Sequence, residues 1–253
     1  MPRRINIHRR LARRIKQGDA IFKDIFELEE RFVVNAILGQ TIELGQSPLS
    51  EKRIKQLIVE NVLLDESQWS KLTEKLVNPW VMGTVADGGQ VALSSLNPGT
   101  IFNVVDPFVV ETMGQRVIGF SRFTVETTNL QIKRILEKAI EEGISIQEMG
   151  EKIHEYFAQD CSIGRAARIA RTETVGAHNC GNMVGMKQSG VVDNHMWLTA
   201  GDADVRESHQ IDGSVRKIGS DFPLGMDYTG YSRQFPSDMN ERCTTIPTRQ
   251  AVN

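Results

Sequence analysis

TTNLQIKRILEKAIEEG, residues 127–143, is the stretch that decides the fold class. Ile132, Ile135, Leu136, Ala139 and Ile140 recur at three- and four-residue steps, the period of an α-helix with one apolar face. Thr128 followed by Gln131 reads as a capping box at its start, and Gly143 stands where a helix closes on a left-handed residue. SIQEMGEKIHEYF (145–157) opens another helix with a second box, Ser145 to Glu148, and an apolar stripe of Ile146, Met149, Ile153 and Phe157. A third helix is expected over about 164–188. Its small residues allow a neighbour to pack closely, although Gly176, Gly181 and Gly185 weaken it intrinsically.

Working outward, the N-terminal half reads as helices broken by turn residues, near 8–16, 19–38, 50–64, 66–78, 80–96 and 101–120. In the second of these, Ile21, Ile25, Leu28, Phe32 and Ala36 form the expected apolar stripe. VADGGQVALSSLNPG (85–99) and TIELGQSPLS (41–50) read as loops or helix ends. Beyond residue 190 the texture changes. HMWLTAG (195–201) has strand character, and Asp212-Gly213 between Ile211 and Val215 signals a β-hairpin turn. The fold class expected is α+β: helical N-terminal and middle regions, then a small C-terminal α+β part containing a β-hairpin. The segments are 1–18, a basic arm; 19–123 and 124–190, both helical; and 191–253, the α+β end.

Composition bounds the function. Forty per cent hydrophobic and 25% charged residues describe a globular chain, and a formal charge of −2 predicts no acidic partner by itself. The charge is unevenly placed, however. Arg3, Arg4, Arg9, Arg10, Arg13, Arg14 and Lys16 fall in the first 16 residues with no acid among them. They fit electrostatic contact with nucleic acid or an acidic protein surface. Equally, Ile5, Leu11, Ala12 and Ile15 fit a terminal helix docked on the body. Aromatics for base stacking are missing from the arm, which argues against sequence-specific or single-strand recognition. Cys161, Cys180 and Cys243, odd in number and widely spaced, argue against a disulfide framework. No apolar run is long enough to span a bilayer and no signal peptide is evident, so synthesis in the cytosol is expected.

WLTAGDADVRESHQIDG (197–213) crowds Asp202, Asp204, Arg206, Glu207, His209 and Asp212 together and resembles a catalytic cluster. Each template fails at a nameable residue. A calcium loop would need an oxygen ligand at Arg206, Gly at Glu207 and Glu at Gly213. Zinc would have only His209, His195 and Cys243 nearby. A His-metal nuclease usually needs a second, downstream histidine, and none follows His209. The motifs GxSxG, GxGxxG and the phosphate-binding P-loop are absent. The cluster therefore reads as polar scaffolding: Trp197 anchoring the small part, Asp202 and Arg206 pairing or capping, and His209 bracing the Asp212-Gly213 hairpin. The competing reading is a metal-dependent nuclease or hydrolase using His209 with Asp202 or Asp212, and a third is a DNA-binding accessory protein.

Several motifs in fixed order carry a resemblance. Arg171, Thr172 and Glu173 look like an Arg-Thr-Glu helix motif; Trp197, Asp202 and Arg206 fit a W…D…R segment; His209, Asp212 and Gly213 fit H-x-x-D-G; Asn240, Arg242 and Cys243 fit a closing N-C-R-C. Together, over about residues 124–243, they resemble the phage Mu F-like minor head proteins, also called phage head morphogenesis proteins. One departure is Glu241, where the family commonly has a cysteine, which removes any thiol pair or metal role for that motif. The resemblance implies a minor head protein of a tailed phage, in few copies near the portal vertex inside the head. It would be made in the host cytoplasm and act in head assembly or DNA packaging and ejection without catalysis, cofactor or metal. The portal protein is the implied partner, with packaged double-stranded DNA, scaffold or major capsid protein as further candidates.

Overall fold

The structure is a computed structural model that describes residues 11–44, 62–201, 203, 205–223, 232–239 and 242–252, with backbone alone at 39–44 and 163. Its helices are α1 (Ala12–Leu44), α2 (Glu66–Leu96), α3 (Pro107–Glu142), α4 (Ile146–Tyr156), a π-helical segment (Phe157–Arg165) and α5 (Ala166–Ser189). A three-stranded antiparallel sheet follows, with β1 (Asn194–Leu198) between β2 (Val215–Lys217) and β3 (Thr244–Thr248). This is the expected α+β class, helical first and a small sheet last.

The helices are fewer and longer than the turn residues predict. The breaks expected at residues 17–18, at Pro79 and between 120 and 128 all lie inside continuous helices. Thr128 is therefore no N-cap; its hydroxyl donates to the Thr124 carbonyl one turn back, at 3.0 Å. Ser145 is one, with its box to Glu148 intact, and Gly143 closes α3 at φ +71°. The helix expected at 50–64 lies mostly outside the described residues.

Two compact units are formed: residues Met1–Asp19, Leu76–Val117 and Arg168–Asn253 in one, and Ala20–Lys75 with Ile118–Ala167 in the other. The second unit is an all-helical core. The stripes on α3 and α4 are buried as expected at Ile132, Leu136, Ala139, Met149 and Ile153. On α1 the buried face is rotated from the expected one. Phe22, Ile25, Phe26, Glu29, Val33 and Ile37 are buried, while Leu28 and Phe32 are exposed. The reason is Glu29: a carboxylate in the middle of the true stripe breaks the apolar period that sequence reading follows. Asn129 adds a clamp, exchanging two 2.9 Å hydrogen bonds with the backbone N–H and C=O of Leu64.

In the first unit α5 is buried almost all round, as a central helix must be. Gly181 and Gly185 bring its backbone against α2. A Cβ on Gly181 would lie 2.0 Å from the Val85 carbonyl oxygen, and one on Gly185 would lie 2.4 Å from that of Gly89. The close packing expected of the small residues is thus realised, and Gly88 and Gly89, read from sequence as loop signals, are the other side of it. Gly18 serves the same end, with Trp80 lying where its side chain would be.

Candidate functional site

The described motif residues lie on α5 and in and around the sheet, within the first unit. From α5, Asn179 donates to the carbonyls of Pro236 (2.9 Å) and Cys243 (3.0 Å) and accepts from the Thr244 hydroxyl (2.8 Å). Asn182, one turn on, donates to the Thr245 carbonyl at 2.8 Å. Two asparagines on one helix face thus satisfy backbone groups of β3 and its approach, which would otherwise be buried unbonded.

Glu173 of the Arg-Thr-Glu motif forms a buried ion pair with Arg116 of α3 at 2.6 Å, and Arg116 also donates to the Ser237 carbonyl at 3.0 Å. Burial pushes the Glu173 pKa up, and the adjacent guanidinium opposes that rise. Gly176 makes room for the guanidinium, since a Cβ there would sit 2.6 Å from it. Thr172 is buried and Arg171 half-buried beside this pair on the helix.

At the sheet, Trp197 is fully buried among His209, Phe222, Ile211 and Cys243, with ring centroids 5.7 Å from His209 and 5.1 Å from Phe222. His209, in a single 3-10 turn (Glu207–His209), is 2% exposed, and its Nε2 meets Asp238 Oδ2 at 2.9 Å. Arg206 reaches the same carboxylate oxygen at 3.8 Å and donates to the Met239 carbonyl. Asp238 is thus the hub of this region. The Asp212 carboxylate accepts from the Thr199 N–H at 2.8 Å and its hydroxyl at 3.2 Å, closing the loop that leaves β1. Gly213 adopts φ +81° in a turn closed by Ser214 N–H to Ile211 C=O, 2.9 Å. That turn leads into β2, whose antiparallel partner is β1, so the hairpin has a long connection where the sequence signals a two-residue one.

The expected site residues therefore divide. Arg171, Thr172, Glu173, Trp197, Arg206, His209, Asp212, Gly213, Arg242 and Cys243 are described, and most lie in or beside this one region. Asp202, Asp204, Asn240 and the arm residues Arg3, Arg4, Arg9 and Arg10 lie outside the described residues. Arg14 is held inside the unit: its guanidinium bonds Asp87 at 2.6 Å and the Gly83 carbonyl at 3.0 Å. Arg13 and Lys16 are exposed. Sequence reading missed Arg116, Asn179, Asn182, Asp238 and Phe222. The Asn179/Asn182 spacing, two amides one turn apart on α5, is the one trace of this polar dock in the sequence, and it does not name their partners.

Cys161, Cys180 and Cys243 are buried, and none is in a disulfide. Among the described residues, no group of three or more His, Cys, Asp or Glu is placed to hold a metal, and no helix is long and apolar enough to cross a membrane. The His209 imidazole and Asp238 carboxylate are turned on each other, while the Trp197 indole N–H and the His195 ring nitrogens have no hydrogen-bond partner among the described residues.

No curated protein and no solved structure matches the chain. Residues 130–246 match the family described as Phage Mu protein F like protein, and that span holds α5, β1, β2 and the start of β3, with Glu173, Asn179, Asn182, His209 and Asp238, while Arg116 and the end of β3 lie outside it. Family match and motif geometry fall on the same residues, and over residues 130–246 the chain is similar to the Phage Mu protein F like family.

Proposed function

We propose that the protein is a minor head component of a tailed phage that docks at the portal vertex and acts in head assembly or genome passage by binding, without catalysis. The observation that carries this reading is the internal use of the motif residues. Glu173, Trp197, His209, Asp212 and Cys243 pack or bond to other residues of the same unit. A general base needs a reachable lone pair, whereas the His209 ring is 2% exposed and already bonded to Asp238. The exposed Arg13 and Lys16 extend the basic series of residues 3–10, which suits contact with the portal protein or packaged double-stranded DNA.

Co-expression of the tagged chain with the portal protein, followed by affinity purification and particle assembly, tests the docking. Co-purification and incorporation into heads are expected. Their absence with a correctly folded chain overturns the portal assignment. Incubating the purified protein with plasmid and divalent metals, beside His209→Ala, tests the catalytic alternative. Nicking that disappears in the variant would establish a nuclease.

A further inference from the structure

In the second unit, a buried carboxyl and a partly buried guanidinium lie side by side without bonding each other. Glu29 is fully buried, and neither of its oxygens has a donor in hydrogen-bonding geometry among the described residues, because the Thr128 hydroxyl beside it donates to the Thr124 carbonyl instead. Arg165, the last residue of the π-helical segment, donates instead to neutral acceptors: the Thr128 hydroxyl at 2.9 Å, the Tyr156 hydroxyl at 3.3 Å and the Thr124 carbonyl at 2.7 Å. Its guanidinium sits 5.1 Å over the Phe26 ring, one helical turn from Glu29 on α1. A π-helix of nine residues is unusual, since most occur as single-turn bulges, and this one ends on the residue making those bonds.

We propose that Glu29 and Arg165 are the two halves of a pH-operated latch on the π-helical segment. With Glu29 protonated, the guanidinium stays on Thr124, Thr128 and Tyr156 and pins the segment's end. When the segment Phe157–Arg165 opens, the guanidinium leaves those acceptors and water reaches Glu29, which loses its proton there. An ion cannot stay buried without a partner, so ionisation and opening are one event.

The groups facing Glu29 are Arg165 and Cys161 from the π segment, Tyr156 from α4 and Thr128 from α3. Burial dominates and raises the carboxyl to about 8, with Arg165 and then Thr128 pulling it down. Because the closed form has the raised value, its stability is full below the ordinary carboxylate range and is lost as pH rises toward 8. Opening therefore increases by about tenfold per pH unit over that range and levels off above it. The exposed His154–Glu30 pair, 2.6 Å apart, adjoins the cluster and is the second group to control.

Hydrogen exchange of the full-length protein between pH 5.5 and 8.5, expressed as protection relative to intrinsic rates, reads the latch directly. Protection of residues 157–165 is expected to fall about tenfold per unit in the wild type and in His154→Gln, and to stay flat in Glu29→Gln and Glu29→Met. Protection of 170–186 in α5 should hold throughout. A flat wild-type profile, an equal slope in both Glu29 variants, or a joint fall in protection of 157–165 and α5 would each overturn the latch.

Discussion

Asp238 shows how much a single residue can organise. It accepts from His209 and faces Arg206, yet it lies outside the W…D…R and H-x-x-D-G segments that mark its partners. Asp238→Ala removes the acceptor from a buried imidazole and should destabilise the fold by about 1–3 kcal/mol. Glu173→Ala should do more, about 3–5 kcal/mol, because it deprives the buried Arg116 of its carboxylate. The urea midpoint of each variant measures the order, and a smaller effect for Glu173→Ala would contradict it. His195 makes a prediction of a different kind. It is fully buried on β1 against Phe222, its ring nitrogens have no partner among the described residues, and burial lowers its pKa to about 4. A folded value depressed below the unfolded 6.5 means that its contribution is whole above pH 6.5 and is lost as pH falls toward 4, about 3 kcal/mol in all. His195→Leu should flatten the stability profile over that window in thermal melts. Parallel profiles for variant and wild type would show that the ring does not titrate on unfolding.

At the scale of elements, the sequence announces apolar periods well and boundaries poorly. The stripes of α3 and α4 and the Ser145 box were legible because propensity, capping and burial agree there. Boundaries failed where packing overrides local preference. Pro79 forfeits one helical hydrogen bond, but the adjacent Trp80 is buried and its indole N–H bonds the Arg14 carbonyl at 2.9 Å, which helps hold the helix across the break. The α1 face was misjudged because Glu29 occupies it, and the polar dock stayed hidden because Asn179 and Asn182 gain partners only when residues some 60 positions away arrive. Glycine illustrates the same point and gives a paired test. Gly181→Ala gains up to about 1 kcal/mol of helix propensity, yet its Cβ meets backbone 2.0 Å away. Overpacking against backbone that cannot yield costs about 1–3 kcal/mol or more, so the net change should be a lower denaturation midpoint. Gly119→Ala in α3, with nothing within 4 Å, should raise it by a few tenths to about 1 kcal/mol. If both alanines stabilise, the α2–α5 packing is looser than described.

Over the whole molecule, charge is the property that local structure does not absorb. Seven of the 30 basic residues fall in the first 16 positions, which leaves 23 to face all 32 acids. The two sequence readings of that basic stretch, electrostatic contact and a docked helix, turn out to be separable residue by residue. Leu11 packs on Val175 with Ile15 beside it, and Arg14 bonds Asp87 and Gly83, so these residues hold the fold. Arg13 and Lys16 point their charge outward on the same helix. Deleting residues 1–16 would therefore confound missing charge with missing packing, whereas Arg13→Glu with Lys16→Glu changes charge alone. If the arm binds DNA, the double variant should bind duplex more weakly and show a shallower dependence of log affinity on log salt. The slope should fall by about 0.9 for each phosphate that is no longer neutralised, with the melting temperature unchanged. If the arm meets an acidic protein surface instead, duplex binding will be indifferent to the substitutions while retention on the portal falls with them. An unchanged slope together with unchanged portal retention would remove Arg13 and Lys16 from any docking role.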